Sequence, residues 1–216
     1  MVSRDELGEI DRQVVRLFAL VSEGLAAATE AFLASDRDTA RTVVEGDLRI
    51  DALQRSVEDL VQYQLAAHFP PTKEEMGLLI SVLRIVPELE RSGDLVEHIA
   101  LRTPQGLARN LSPRARGTVQ QMGQVGVAMW RAAADAYVAR DPDAGEHLRV
   151  LDDQLDDLHV ELISELANSL VSVPVAIEMG LVARFLERLG DHAVNVTRRI
   201  QFLVQPTIGV AAGGPR

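Results

Sequence analysis

Glu90-Arg91-Ser92-Gly93-Asp94 and Glu187-Arg188-Leu189-Gly190-Asp191 are one short acidic signature written twice, 97 residues apart. A leucine precedes each copy, Leu89 and Leu186, and Glu, Arg, Gly and Asp then recur in the same order. Residues four apart lie on one face of a helix. Each copy therefore stacks two carboxylates one above the other, an arrangement suited to cations. Its repetition marks a duplicated unit.

The surrounding periodicity is helical throughout. Leu7, Ile10, Val14, Leu17, Val21, Leu25, Ala28 and Phe32 recur at spacings of three and four and predict a helix over residues 4–33. Ser35 as N-cap, with Asp38 three positions on, predicts a second helix to about Ala67, ended by Phe69-Pro70-Pro71. Thr72 and Glu75 form a capping box for a third, to about Arg102. The pattern then restarts. Ser112-Pro113 opens a fourth helix to about Arg140, Asp141-Pro142 a fifth to about Leu170, and Ser172 with Pro174 a sixth to about Val204. The fold class is all-α, as two tandem three-helix bundles, residues 1–108 and 109–204, followed by a Gly/Ala/Pro-rich tail, 205–216, expected to be disordered. Pro87 lies inside the third helix, where it removes a backbone hydrogen bond and is expected to kink it.

Composition narrows the function. Apolar residues make up 47% and aromatics only 4%, which favours helix-on-helix packing. A formal charge of −10 argues against nucleic acid, whose phosphates need clustered Lys and Arg. The absence of cysteine excludes disulfides and thiolate metal sites. MVSRDELGEIDRQVV carries no signal-peptide core, and no segment is expected to reach the roughly 20 apolar residues of a membrane span. A cytoplasmic protein without membrane insertion is expected. Phosphate-binding loops, nucleophile elbows, dinucleotide fingerprints and zinc-protease motifs are missing, so no catalytic residue is nominated and a non-enzyme is expected. None of the five histidines lies three residues after a glutamate, so the Glu-x-x-His pairs of ferritin-like di-iron bundles are absent too. Surface or core packing is the expected role of each histidine, with contact to the metal ligands also open to His98 and His192, and Trp130 reads as a core anchor.

Each half also carries a partner motif, Asp47-Leu48-Arg49-Ile50-Asp51 and Asp152-Asp153-Gln154-Leu155-Asp156. In an antiparallel hairpin, residues equidistant from the turn lie side by side. Asp47 with Asp94, and Asp51 with Glu90, are centred on position 70.5, inside Phe69-Pro70-Pro71. Asp152 with Asp191, and Asp156 with Glu187, are centred on 171.5, at Val171-Ser172. Helix axes packed roughly 8–10 Å apart let such carboxylates share an ion. Without a cation their charges repel and some must protonate. Oxygen donors suit Mg²⁺, Mn²⁺ or Ca²⁺ and admit Fe and Zn. Gly93 and Gly190, costly in mid-helix, fit close approach by a helix or ligand as well as a merely tolerated small residue.

HFPPTKEEMGLLISVLRIVPELERSGDLVEHIA and VPVAIEMGLVARFLERLGDHAVNVTRRIQFLV resemble the two repeats of the PhoU family, phosphate-transport regulators of bacteria. The resemblance runs from about residue 5 to 204 and implies bundles related by pseudo-two-fold symmetry. It implies metal at Asp47, Asp51, Glu90 and Asp94, and again at Asp152, Asp156, Glu187 and Asp191. The resemblance also implies that Asn195 fills a polar position recurring in the family, with Glu97 at the corresponding place in the first repeat, so that either is a further candidate for its cluster. It also implies a cytoplasmic homodimer that acts with the phosphate transporter ATPase subunit and a phosphate-sensing histidine kinase to hold the starvation response off. Pro87 departs from the small residue usual in the family at that place. Two other readings of the same residues are a carboxylate-bridged metal enzyme for oxygen or phosphoester chemistry, and a metal-free scaffold whose acids solvate its surface.

Overall fold

The computed structural model describes residues 4–67 and 72–204. These form six α-helices, α1 (Arg4–Ala34), α2 (Arg37–Ala67), α3 (Lys73–Ala100), α4 (Pro113–Ala139), α5 (Ala144–Asn168) and α6 (Val173–Val204). Two 3-10 turns, Thr103–Gln105 and Leu107–Asn110, join the first three helices to the last three. The described residues contain no strand. Every predicted helix is present, with ends within three residues of those read from the sequence. The Phe69-Pro70-Pro71 turn and the 205–216 tail lie outside the described residues. α3 continues as helix through Pro87 to Ala100.

The caps follow from local chemistry. The Thr72 hydroxyl accepts from Glu75 N–H (3.1 Å), and the Glu75 carboxylate accepts from Thr72 N–H (2.8 Å). Ser112 accepts from Ala115 N–H, with Pro113 in the first turn. Ser35 is not the cap of α2. It takes a left-handed conformation (φ 57°) that closes α1, and Asp36 caps α2 instead, accepting from the N–H groups of Asp38 and Thr39. Arg140 closes α4 in the same way (φ 54°). In both places a 6→1 backbone bond ends the helix, Asp36 N–H to Ala31 O and Asp141 N–H to Ala136 O. The duplication thus extends to two non-glycine residues in a left-handed conformation.

Helices α1–α3 pack on one another, as do α4–α6, and the two trios meet along α1 against α4 and α3 against α6. One continuous core includes residues from all six helices. Trp130 is fully buried, as its sequence setting foretells, against Phe18. Gly123 of α4 lets Thr29 of α1 come close: a Cβ there would stand 2.5 Å from Thr29 Cγ2. Asp11 of α1 accepts from Tyr137 Oη (2.6 Å) and from Arg140 Nη2 (2.8 and 2.7 Å), tying α1 to the end of α4. Within α1, Glu6–Ala34 is long and apolar enough by composition to cross a membrane, which counting unbroken apolar runs did not reveal. Half of an 18-residue apolar window in that stretch is buried inside the bundle, packed by α2, α3 and α4, which explains its apolarity.

The α3–α6 seam carries polar contacts. Ser92 Oγ donates to Glu88 O (2.6 Å), which uses its only proton, so His192 donates to Ser92 Oγ through Nδ1–H (3.0 Å). Burial holds the His192 pKa below its ordinary value. Arg102 lies over the Phe185 ring, 4.8 Å from its centroid, and pairs with Glu178 at 2.9 Å.

Candidate metal centres

The two hairpins have the register that the acidic motifs demand. In the first, α2 lays Asp47 and Ile50 over Gly93 of α3. A Cβ on Gly93 would stand 3.0 Å from Asp47 Oδ1 and 2.8 Å from Ile50 Cδ1. In the second, α5 lays Asp152 and Leu155 over Gly190 of α6. There a Cβ would stand 3.0 Å from Asp152 Oδ1 and 2.6 Å from Leu155 Cδ2. The same two kinds of atom meet the same glycine twice. Of the two roles open to the glycines, close helix approach is the one observed, with a carboxylate oxygen resting where a side chain would otherwise be.

Crowding of like charge follows. Burial, then the charges of Glu97, Asp94, Asp51 and Glu90, raise Asp47 from 3.8 to about 6. Burial, then Asp156, Asp191 and Asp153, raise Asp152 to about 6. Glu90 is raised by burial and by Asp94 and Asp51. Glu187 is raised by burial and by Asp191 and Asp156, against the opposing charge of Arg184. Within each hairpin the named carboxylates thus act on one another, Asp47, Asp51, Glu90 and Asp94 in the first and Asp152, Asp156, Glu187 and Asp191 in the second.

The groups are gathered but not closed. Among the described residues, no three Asp, Glu or His side chains surround a common point as a finished metal site requires. Some acids turn aside to neighbouring cations: Asp51 lies 3.8 Å from Arg55, and Glu187 Oε1 accepts from Arg184 Nη1. Even so the donor set fits a hard cation. Asp47 Oδ1 and Glu187 Oε2 are buried and accept no hydrogen bond from the protein. A buried carboxylate oxygen without a donor is costly unless something positive meets it.

Sequence reading placed Glu97 and Asn195 beside the motifs, and the structure separates them. Glu97 is the charge that acts most on Asp47. Its equivalent in the second repeat, by the spacing of the glycines, is Val194. Asn195 instead accepts from Arg198 (3.1 Å) and corresponds to His98, which stacks on Phe185. Glu58 also reaches the first centre, acting on Glu90, and sequence reading missed it. It lies two turns beyond Asp51 on the same face of α2, which was the available signal.

The PhoU domain family model matches residues 14–103 and again 119–200. The chain is 32% identical over 206 residues to the Mycobacterium tuberculosis "Phosphate-specific transport system accessory protein PhoU homolog 1", covering 94% of this chain and 93% of that one. It is 29% identical over 204 residues to homolog 2 of the same organism, covering 92% and 94%. The crystal structure of PhoU from Pseudomonas aeruginosa superposes with a TM-score of 0.85 at 26% identity, over 94% of this chain and 99% of that one. The fold is also that of the phosphate transport system regulatory protein PhoU from Streptococcus pneumoniae, with a TM-score of 0.80 at 24% identity and coverage of 92% and 94%. Six helices in two trios, an acidic hairpin in each, and a family model matched twice lead to one conclusion: this chain belongs to the PhoU family.

Proposed function

We propose that the chain is a metal-binding, non-enzymatic accessory protein of phosphate transport, which regulates phosphate uptake and phosphate homeostasis from the cytoplasm. Each repeat, 1–108 and 109–204, supplies one cation centre. The observation that supports this most is the double occurrence of an aspartate oxygen laid over a helix glycine, in a chain similar over 94% of its length to an accessory protein of phosphate transport. A bound hard cation supplies positive charge between two helices whose acids otherwise repel. Asp47, Asp51, Glu90 and Asp94 hold it in one hairpin, and Asp152, Asp156, Glu187 and Asp191 in the other. Gly93 and Gly190 let the helices close to that distance. The stiffened hairpins then present a fixed surface to the transporter ATPase subunit and to the phosphate-sensing kinase, with the chain acting as a homodimer. Phosphate plenty favours that contact and keeps the starvation response off.

Co-purification of the transporter ATPase and the kinase with the tagged chain tests this reading. Both partners are expected on the wild type, with reduced recovery on a double Asp94→Ala, Asp191→Ala variant. Recovery of neither partner on the wild type would overturn it.

A further inference from the structure

We infer that the two centres are unequal and fill in order, the first before the second, because the second carries a resident counter-cation, Arg184, that an incoming divalent ion must displace from Glu187. The inference rests on the metal reading above.

Equivalent positions are fixed by the matched contacts. Gly93 and Gly190 set a spacing of 97 for α3 and α6, and Asp47 with Asp152 sets 105 for α2 and α5. Arg184 then corresponds to Pro87, which has no charge and no donor. The Arg184 guanidinium donates to Glu187 Oε1 while Glu187 Oε2 stays buried and unpartnered. The two ends of this pair differ in freedom: the Arg184 side chain is 53% exposed and that of Glu187 only 12%. Release is therefore a swing of the arginine into water and leaves the carboxylate where it stands.

Three further exchanges act in the same sense. Glu97, beside Asp47, becomes Val194, and Glu58, which acts on Glu90, becomes Ile163. Leu101 becomes Arg198, whose charge opposes those around Asp152. Others run the other way: Leu48 becomes Asp153, Ala52 becomes Asp157, and Arg55, no nearer than 3.8 Å to Asp51, becomes Val160. The difference that sets the order is therefore Arg184, the cation found on a ligand oxygen of the second centre. Arg91 and Arg188 occupy equivalent places and cancel in the comparison. The device is a graded response: low cation sets the first hairpin, and higher cation is needed to set the second.

Titration of the metal-free full chain with Mn²⁺, following free Mn²⁺ by its EPR signal, tests this. Two classes of uptake are expected. Asp94→Ala should remove the tighter class and Asp191→Ala the weaker. Arg184→Ala, and Arg184→Gln as a second variant that keeps the side-chain length, should tighten the weaker class by roughly fivefold (about 1 kcal/mol) and leave the tighter one unchanged. Glu97→Val should weaken the tighter class. Equal affinity at the two centres, loss of the tighter class on Asp191→Ala, or a weaker class indifferent to both Arg184 variants would overturn the inference while leaving metal binding intact. Absence of Mn²⁺ uptake by the wild type would instead remove the metal reading, and the inference with it.

Discussion

Exchanging Asp47 and Asp152 for asparagine should raise the stability of the metal-free protein at neutral pH and flatten its pH dependence. Burial and neighbouring carboxylates lift both groups from 3.8 to about 6. Their folded-state pKa values lie above the unfolded ones, so the folded chain binds protons that the unfolded chain does not. Stability from these groups then rises as pH falls through 6 towards 4, the reverse of a salt-bridged acid. Between pH 7.5 and 5 each group contributes about 1.4 kcal/mol if its charge is fully sensed. Both remain partly open to water, which screens roughly half of that. Together they give about 1.4 kcal/mol, or roughly 3–5 °C in Tm for a chain of this size. His159 and His192, whose pKa values burial lowers, act in the opposite sense, but they are common to both proteins. The readout is therefore the difference between wild type and Asp47→Asn, Asp152→Asn in scanning calorimetry with EDTA at pH 7.5 and 5. The variant should melt higher at pH 7.5, and the gap should narrow by about half at pH 5 and close only towards pH 4. Parallel pH profiles for the two proteins would refute the charge crowding on which the centres are built.

Five further substitutions probe the packing and the helix ends. Gly93→Ala and Gly190→Ala push against the mobile ends of Ile50 and Leu155, so denaturant melts should show a loss of only about 0–1 kcal/mol, while Mn²⁺ uptake falls at the altered hairpin. Gly123→Ala meets the stem of Thr29, whose hydroxyl is bonded to Leu25 O, and should cost about 1–3 kcal/mol by the same melts without touching metal uptake. Ser35→Gly relieves a left-handed backbone and removes a buried hydroxyl without a partner, so urea unfolding should show a gain of about 1 kcal/mol. Asp11→Ala strands the Tyr137 hydroxyl and Arg140 together and should lower stability by about 1–3 kcal/mol in the same assay.

Helix positions and hairpin register were legible because both are periodic. A stripe of Leu and Val at three and four fixes which face is buried, and equal distance from a turn fixes which residues share a level. The Ser35-Asp36 pair was less legible. Both residue types cap helices, and only the left-handed turn ending α1 decides that Asp36 does so. Glu58 escaped for a related reason. Level along a helix can be counted, whereas the side to which a carboxylate leans depends on how the two helices rotate against each other. Asp51 and Glu187 also sit beside cations of their own helices, Arg55 and Arg184, at spacings of four and three that allow such a pair without deciding it. Pro87 was read as a fault in α3. Its larger consequence is the charge it withholds at the place where α6 has Arg184.

Crystals of the full chain grown with Mn²⁺ and measured at the manganese edge offer the most direct test of the two-centre proposal. Anomalous peaks should lie beside Gly93, among Asp47, Asp51, Glu90 and Asp94, and beside Gly190, among Asp152, Asp156, Glu187 and Asp191. Peaks confined to other surfaces, or hairpins whose acids remain splayed with no density between them, would contradict it.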